Sequence, residues 1–357
     1  MFGEKRKIFL IVLMICAGAV FSGCSTAEKH SAFPLRQPVV DPDIYVDIYD
    51  SDRACAGTIL LADNHKPQRP RIVEVNMHGE IVWEYVLPGY LRRYINPGFD
   101  VEWLSNNNIL FVLPHKGVYE IDRSGTIVWS YMDSKVTHDA DRLPNGNTLV
   151  VCGGRDDMNQ AQVKEIDPKG RIVWSWRARD HFYRSPYKDI YLDGWTHANA
   201  VTRLSNGNTS ISLRNFNFVV EVDPQGEVVK TIGEGILYYP HDPEVLPNGN
   251  ILAATQRPLL SFRPIRVNFS VTPPHVVEFV PETGTVVWRF ERSRWRRQLA
   301  RDADRLPNGN TLITGTTEII EVTPGGEIVW RLRMRAQMEK GDAPRKGFYK
   351  AERIAPH

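Results

Sequence analysis

One segment returns along this chain and constrains its architecture more than any other feature. His138-Asp-Ala-Asp-Arg-Leu-Pro-Asn-Gly-Asn-Thr-Leu149 recurs as Arg301-Asp-Ala-Asp-Arg-Leu-Pro-Asn-Gly-Asn-Thr-Leu312 and as His241-Asp-Pro-Glu-Val-Leu-Pro-Asn-Gly-Asn-Ile-Leu252. Weaker copies span residues 99–110 and 199–210. Asn-Gly between two apolar runs marks a hairpin, and a two-residue turn of this kind needs positive φ at both residues. A second hairpin follows each copy. Its turns, Asp167-Pro-Lys-Gly170 and Asp223-Pro-Gln-Gly226, place Pro second and Gly fourth, as a type I turn prefers. The flanking runs are rich in Val, Ile, Thr and Trp and alternate polar with apolar, which is a strand period. Four antiparallel strands per unit, at a repeat of roughly 40–60 residues, describe a β-propeller blade.

Val-Trp dipeptides ending at Trp83, Trp129, Trp174, Trp288 and Trp330, with Val229-Lys230 as a sixth equivalent, predict an all-β, six-bladed propeller. The tryptophans recur at matched positions, so they are read as packing between blades. The first blade begins near Gly57 and lacks an innermost strand. Tyr349-Lys-Ala-Glu-Arg-Ile-Ala-Pro356 aligns with Arg301-Asp-Ala-Asp-Arg-Leu-Pro307, so the C-terminus is expected to close the ring and remove the open edge. No helical period of useful length follows the N-terminal segment.

An apolar fraction of 42% and a charged fraction of 24% exclude wholesale disorder and a polytopic membrane protein. The N-terminus reads as an export signal over residues 1–23: Lys5-Arg6-Lys7, then an apolar run from Ile8 to Val20 too short to span a bilayer permanently. Phe21-Ser22-Gly23-Cys24 resembles the bacterial lipobox, which implies cleavage before Cys24, lipidation of its thiol and a membrane tether. Ser25 resembles the outer-membrane sorting variant, giving an expected location facing the periplasm. Residues 24–50 are expected to be the lipidated cysteine and a linker, and 51–357 the propeller. Removing the signal leaves no net charge of the formal +2, which argues against a nucleic-acid partner. Cys55 and Cys152 fall in different blades and are read as small hydrophobes without a disulfide.

Innermost strands line a propeller's axis. The first residues of the repeated unit are therefore the channel candidates: Phe99, His138, Asn199, His241, Arg301 and Tyr349, with His197 two residues before Asn199 on the same side of its strand. A repeated His-Asp could also cap a strand entry by hydrogen bonding. Three imidazoles and water would suit zinc, yet no local pair such as HExxH exists, so no metal and no cofactor are assigned. A nucleophilic or acid–base histidine cluster is preferred.

These units resemble the bacterial arylsulfotransferase family over most of residues 55–356. The most specific part is Trp195-Thr-His197-Ala-Asn199-Ala-Val with Ser212-Leu-Arg214, similar to the family's Trp-x-His-x-Asn-Ser-Val and Ser-Ser-Arg. The resemblance implies a six-bladed catalytic propeller that moves a sulfuryl group from a phenolic sulfate donor to a phenol acceptor, without a nucleotide. It implies His241 as nucleophile, with His197, Asn199, Arg214 and His138 as further catalytic groups and Thr316 as a candidate contact beside Arg301, Phe99 and Tyr349. Ala200 and Asn215 depart from the family's serine and histidine. Too few residues precede the first blade for the family's separate N-terminal β-domain, so its dimer is not carried over. The segment 258–275 and the basic run Arg292-Ser-Arg294-Trp-Arg296-Arg297 have no family role; the run is expected to be a solvated loop. A non-catalytic envelope scaffold is the main alternative. A quinone-dependent dehydrogenase fits poorly, because such propellers usually have eight blades.

Overall fold

The computed structural model describes residues 33–66, 68–94, 98–256, 276–292, 300–335 and 347–356. The signal segment, Cys24, the segment 258–275 and most of the basic run lie outside the described residues.

The chain opens with β1 (Phe33–Val40) and β2 (Ile44–Tyr49) and then lays down blade 1 as β3 (Thr58–Asp63), β4 (Arg71–Val75) and β5 (Glu80–Val86). Blade 2 is β6 (Val101–Trp103), β7 (Ile109–Leu113), β8 (Gly117–Ile121) and β9 (Ile127–Met132). Blade 3 is β10 (Ala140–Arg142), β11 (Thr148–Val151), β12 (Val163–Ile166) and β13 (Ile172–Trp176). Blade 4 is β14 (Ala198–Arg203), β15 (Thr209–Leu213), β16 (Phe218–Val222) and β17 (Val228–Ile232). Blade 5 is β18 (His241–Val245), β19 (Ile251–Ala254), β20 (Val276–Phe279) and β21 (Val286–Phe290). Blade 6 is β22 (Ala300–Arg305), β23 (Thr311–Gly315), β24 (Glu318–Val322) and β25 (Ile328–Met334). The last strand, β26 (Phe348–Ile354), pairs antiparallel with β3, from Phe348 opposite Asp63 to Ile354 opposite Thr58, and supplies the missing inner strand of blade 1. The six-bladed ring closed by its own C-terminus is therefore as expected.

Two details differ from expectation. The Asn-Gly turns are not two-residue turns with both residues at positive φ: in Leu143-Pro144-Asn145-Gly146 only the glycine is left-handed, at φ +84°. Gly146 N–H donates to Leu143 O, and Leu143 N–H to Asn147 O. Pro144 holds φ near −65° at the second position, which selects a type I turn with glycine fourth. The same geometry returns at Gly249 and Gly309. The stretch expected to be linker also carries structure from residue 33 onward. β1 adds to the outer edge of blade 1 and β2 to that of blade 6, giving both blades a fifth strand. β2 earns its place by alternation: Ile44 is buried, while Asp47 accepts two bonds from Arg331. Edge positions also tolerate the prolines of β1, which have no ladder N–H to give.

The core is a ring rather than a centre. Six apolar clusters sit one at each blade junction. The repeated tryptophans stitch these junctions. Trp83 Nε1–H donates to Arg123 O, Trp129 to Pro168 O, Trp174 to Pro224 O, Trp288 to Pro324 O and Trp330 to Met77 O, each in a turn of the next blade. At the blade 4–5 junction Lys230 stands in for tryptophan and reaches Glu282 instead, at 2.8 Å. The Asn-Gly-Asn turns join the same device: Asn147 Nδ2 donates to Glu165, which also accepts from Arg203 of the following blade. At the closing junction the equivalent Glu321, fully buried, accepts from Asn310 and from Arg353. Cys55 and Cys152 are free thiols.

Candidate active site

Near the start of the inner strands of blades 3, 4 and 5 the backbone is bent. His138, His197, Tyr239 and Asp242 all take positive φ, +68°, +48°, +46° and +44°. Non-glycine residues in that region are held against a steric cost, and such positions concentrate at functional sites.

The upper layer of the channel gathers His138, His197, His241, Arg214, Arg301 and Tyr349. The rings of His138 and His197 lie 4.9 Å apart, and Tyr349 Oη is 3.2 Å from His138 Nδ1. The positive charge of Arg214 bears on all three imidazoles, and that of Arg301 on His138 and His241. Burial acts first and these charges second, so all three histidines are held neutral: His138 is pushed down to about 3, and His197 and His241 fall well below the usual range. None of these three imidazoles is therefore cationic at neutral pH; the fixed positive charge belongs to the two arginines.

Backbone carbonyls set the tautomers. His241 Nδ1 lies 2.8 Å from Tyr239 O, and His197 Nδ1 2.8 Å from Asp193 O. A carbonyl only accepts, so each Nδ1 carries the proton and each Nε2 keeps its lone pair. Gln256 Nε2 lies 3.1 Å from His241 Nε2 and donates to that lone pair. Asn199 Nδ2 and Ser212 Oγ both donate to Pro240 O, at 2.9 and 3.2 Å, bracing the bend that carries His241. Asn199 thus positions the candidate nucleophile through the backbone, while its buried Oδ1 has no partner. Arg214 Nη1 donates to Asn215 Oδ1, and Asn215 Nδ2 is itself held by the carbonyls of Gly194 and Trp195. The asparagine that departs from the expected pattern orients the arginine. Arg301 is 5% exposed and lies over the Tyr349 ring at 5.1 Å.

Two candidates stand apart. Phe99 is fully buried in the cluster between blades 1 and 2, edge-on to Phe111 at 6.3 Å, and does not line the channel. The left-handed residue here is Gly98, at φ +108°, one place earlier than His138 in its blade, and this turns the next side chain into the core. Thr316 is buried with an unpartnered Oγ1, and its carbonyl accepts from Phe348 N–H at the start of β26.

Gln256 was missed from sequence, although a signal exists: Arg214, Gln256 and Thr316 each follow the last Asn of their Asn-Gly-Asn turn by the same interval. Lys350 was missed too. Four blades carry Asp100, Asp139, Asp242 and Asp302 at the second position of the repeat, blade 4 carries Ala200, and the closing strand carries this lysine. One layer below the histidines, its Nζ lies 2.9 Å from Asp139, 3.1 Å from Asp242 and 3.4 Å from Asp100. Asp139 also accepts from Val201 N–H and Asp302 from Ala351 N–H, so these aspartates do tie one inner strand to the next.

The buried imidazoles carry a stability cost in acid. His138 stays neutral when folded but protonates near 6.5 when unfolded, so below that pH the unfolded chain binds the extra proton and stability falls. His138→Gln should narrow the gap between melting temperatures at pH 7.5 and pH 5; an unchanged gap would show that His138 is not held neutral.

A family model described as Arylsulfotransferase (ASST) matches residues 46–238, just over half of the chain. No curated protein matches it. Among solved structures, a protein of unknown function from Bacteroides caccae is 18% identical with a TM-score of 0.55, over 83% of this chain and 98% of that one. A catalytically inactive virginiamycin B lyase from Staphylococcus aureus is 12% identical with a TM-score of 0.46, over 80% and 87%. These likenesses concern the fold alone.

Proposed function

Because the chain belongs to the arylsulfotransferase family, we propose that it transfers a sulfuryl group from a phenolic sulfate ester to a phenol, with His241 as the nucleophile. The observation that carries this reading is the state of His241. It is neutral, its proton is fixed on Nδ1, and its Nε2 lone pair sits in a buried layer with two guanidinium groups.

Nε2 attacks sulfur in line, the N–S bond forms, and the bond from sulfur to the phenolic oxygen breaks. The departing phenolate takes the electron pair, and Arg214 and Arg301 balance its charge. In the second half the acceptor phenol gives its proton to the Nε2 lone pair of His197. Its oxygen attacks sulfur, the N–S bond breaks, and the proton passes to the departed phenolate or to water. Dividing the displacement into two steps lowers each barrier. Gln256 releases Nε2 when the donor binds and turns its N–H to a sulfuryl oxygen. Arg214→Ala and Gln256→Leu should each lower kcat by about 10²–10³-fold; a loss confined to KM would reduce them to binding groups. The central test is mass analysis after brief exposure to an aryl sulfate: the reading requires one added sulfuryl group on the peptide bearing His241, and an adduct elsewhere, or none, overturns it.

We also propose a cell-envelope location facing the periplasm, through lipid on Cys24. The lipobox resemblance supports this. Cys24→Ser should move the protein from the membrane to the soluble fraction and abolish labelling with a radioactive fatty acid; retention in the membrane would reject the anchor.

A further inference from the structure

Below the histidines the channel turns acidic. Asp242 comes from β18, Asp302 and Asp304 from β22, and one carboxylate oxygen of each lies within 4.8 Å of the other two. Burial and mutual repulsion push Asp302 and Asp304 well above the usual carboxylate range, and the Asp302 carboxyl meets that of Asp242. Lys350 approaches Asp242 at 3.1 Å, but among the described residues neither Asp302 nor Asp304 has an ion pair. A second observation is independent of the clustering. Asp302 is 2% exposed and its Oδ1 has no hydrogen-bond partner, although Oδ2 is oriented by Ala351 N–H and Thr314 Oγ. A buried carboxylate oxygen left without a partner is costly, so this point calls for a proton or a cation.

We propose that Asp242, Asp302 and Asp304 bind a calcium-class cation that pins blade 5 to blade 6 beside the closing strand. Three carboxylates and no nitrogen or sulfur ligand favour a hard cation over zinc. Calcium accepts irregular oxygen shells completed by water, whereas magnesium requires near-ideal octahedral geometry. A route for a hydrated ion exists: a cavity of about 740 Å³, lined by Asp242, Asp304 and Lys350 among others, reaches the site from the side of the Asn-Gly turns. Because the ion would hold the folded ring and not the unfolded chain, its effect is on stability, and the family's transfer chemistry does not depend on it.

The test uses the full propeller chain stripped with EDTA and titrated with CaCl₂. Wild type should bind one ion saturably and melt at a higher temperature as calcium rises. Asp304→Asn should weaken binding by at least about tenfold, and its calcium-free melting temperature should equal or exceed that of wild type, because one repelling charge is gone. No saturable binding by wild type at millimolar calcium overturns the proposal, as does undiminished binding by Asp304→Asn. Should that variant fail to fold, Asp242→Asn takes its place, and the wild-type titration decides the matter without either.

Discussion

Replacing His241 by alanine should abolish turnover of a chromogenic aryl sulfate, by on the order of 10⁴–10⁶ in kcat if it is the attacking group. The fold should survive. The side chain is buried, but its bonds are to Tyr239 O and to Gln256, both of which water can satisfy once the ring is removed. A melting temperature within a few degrees of wild type together with lost activity is the expected pair of results. Undiminished activity would remove the nucleophile assignment while leaving the propeller and its neutral histidine layer intact. His241→Gln is a useful companion: it retains a hydrogen-bonding side chain but has no nucleophilic nitrogen, so it should be equally inactive.

The largest effect on stability is expected from deleting residues 347–357. The deletion strips β26 from β3 and exposes the inner edge of blade 1. It removes Phe348, a fully buried ring whose loss alone typically costs about 3–5 kcal/mol. It withdraws Lys350, leaving Asp100, Asp139 and Asp242 facing one another without their shared cation, and uncompensated buried charge costs about 3–5 kcal/mol. It also takes Arg353 from the buried Glu321. These losses together match the whole stability of an ordinary domain, about 5–15 kcal/mol. Cooperative unfolding should therefore disappear. A truncated protein that melts like the intact one would show that the ring does not need its closing strand.

Much of this could be read in the residues themselves. The repeat placed every inner strand, the closing strand and the inter-blade tryptophans, because those depend on turns and strand alternation within a few neighbours. His138 and His241 were legible for the same reason, because equivalent positions of equivalent blades face one axis, and His197 was reached as the residue two places before the equivalent Asn199. Phe99 shows where that logic ends. It occupies the equivalent position, but the left-handed bend has moved back to Gly98, and one residue's backbone angle sends the ring into the core. The linker expectation stopped at residue 33 for a different reason. β1 and β2 have edges to join only because the finished ring presents the outer strands of blades 1 and 6 to them.

By itself, then, the order of residues determined a ring of six four-stranded units, its closure by the C-terminus, and which histidines share the channel, since periodicity of local turns implies equivalent placement around an axis. The tertiary structure alone decided their chemical state. Carbonyls of Tyr239 and Asp193 choose the tautomers, burial beside Arg214 keeps the rings neutral, and Gln256 meets His241. Those outcomes depend on distance and desolvation among groups far apart in the chain, which no local pattern encodes.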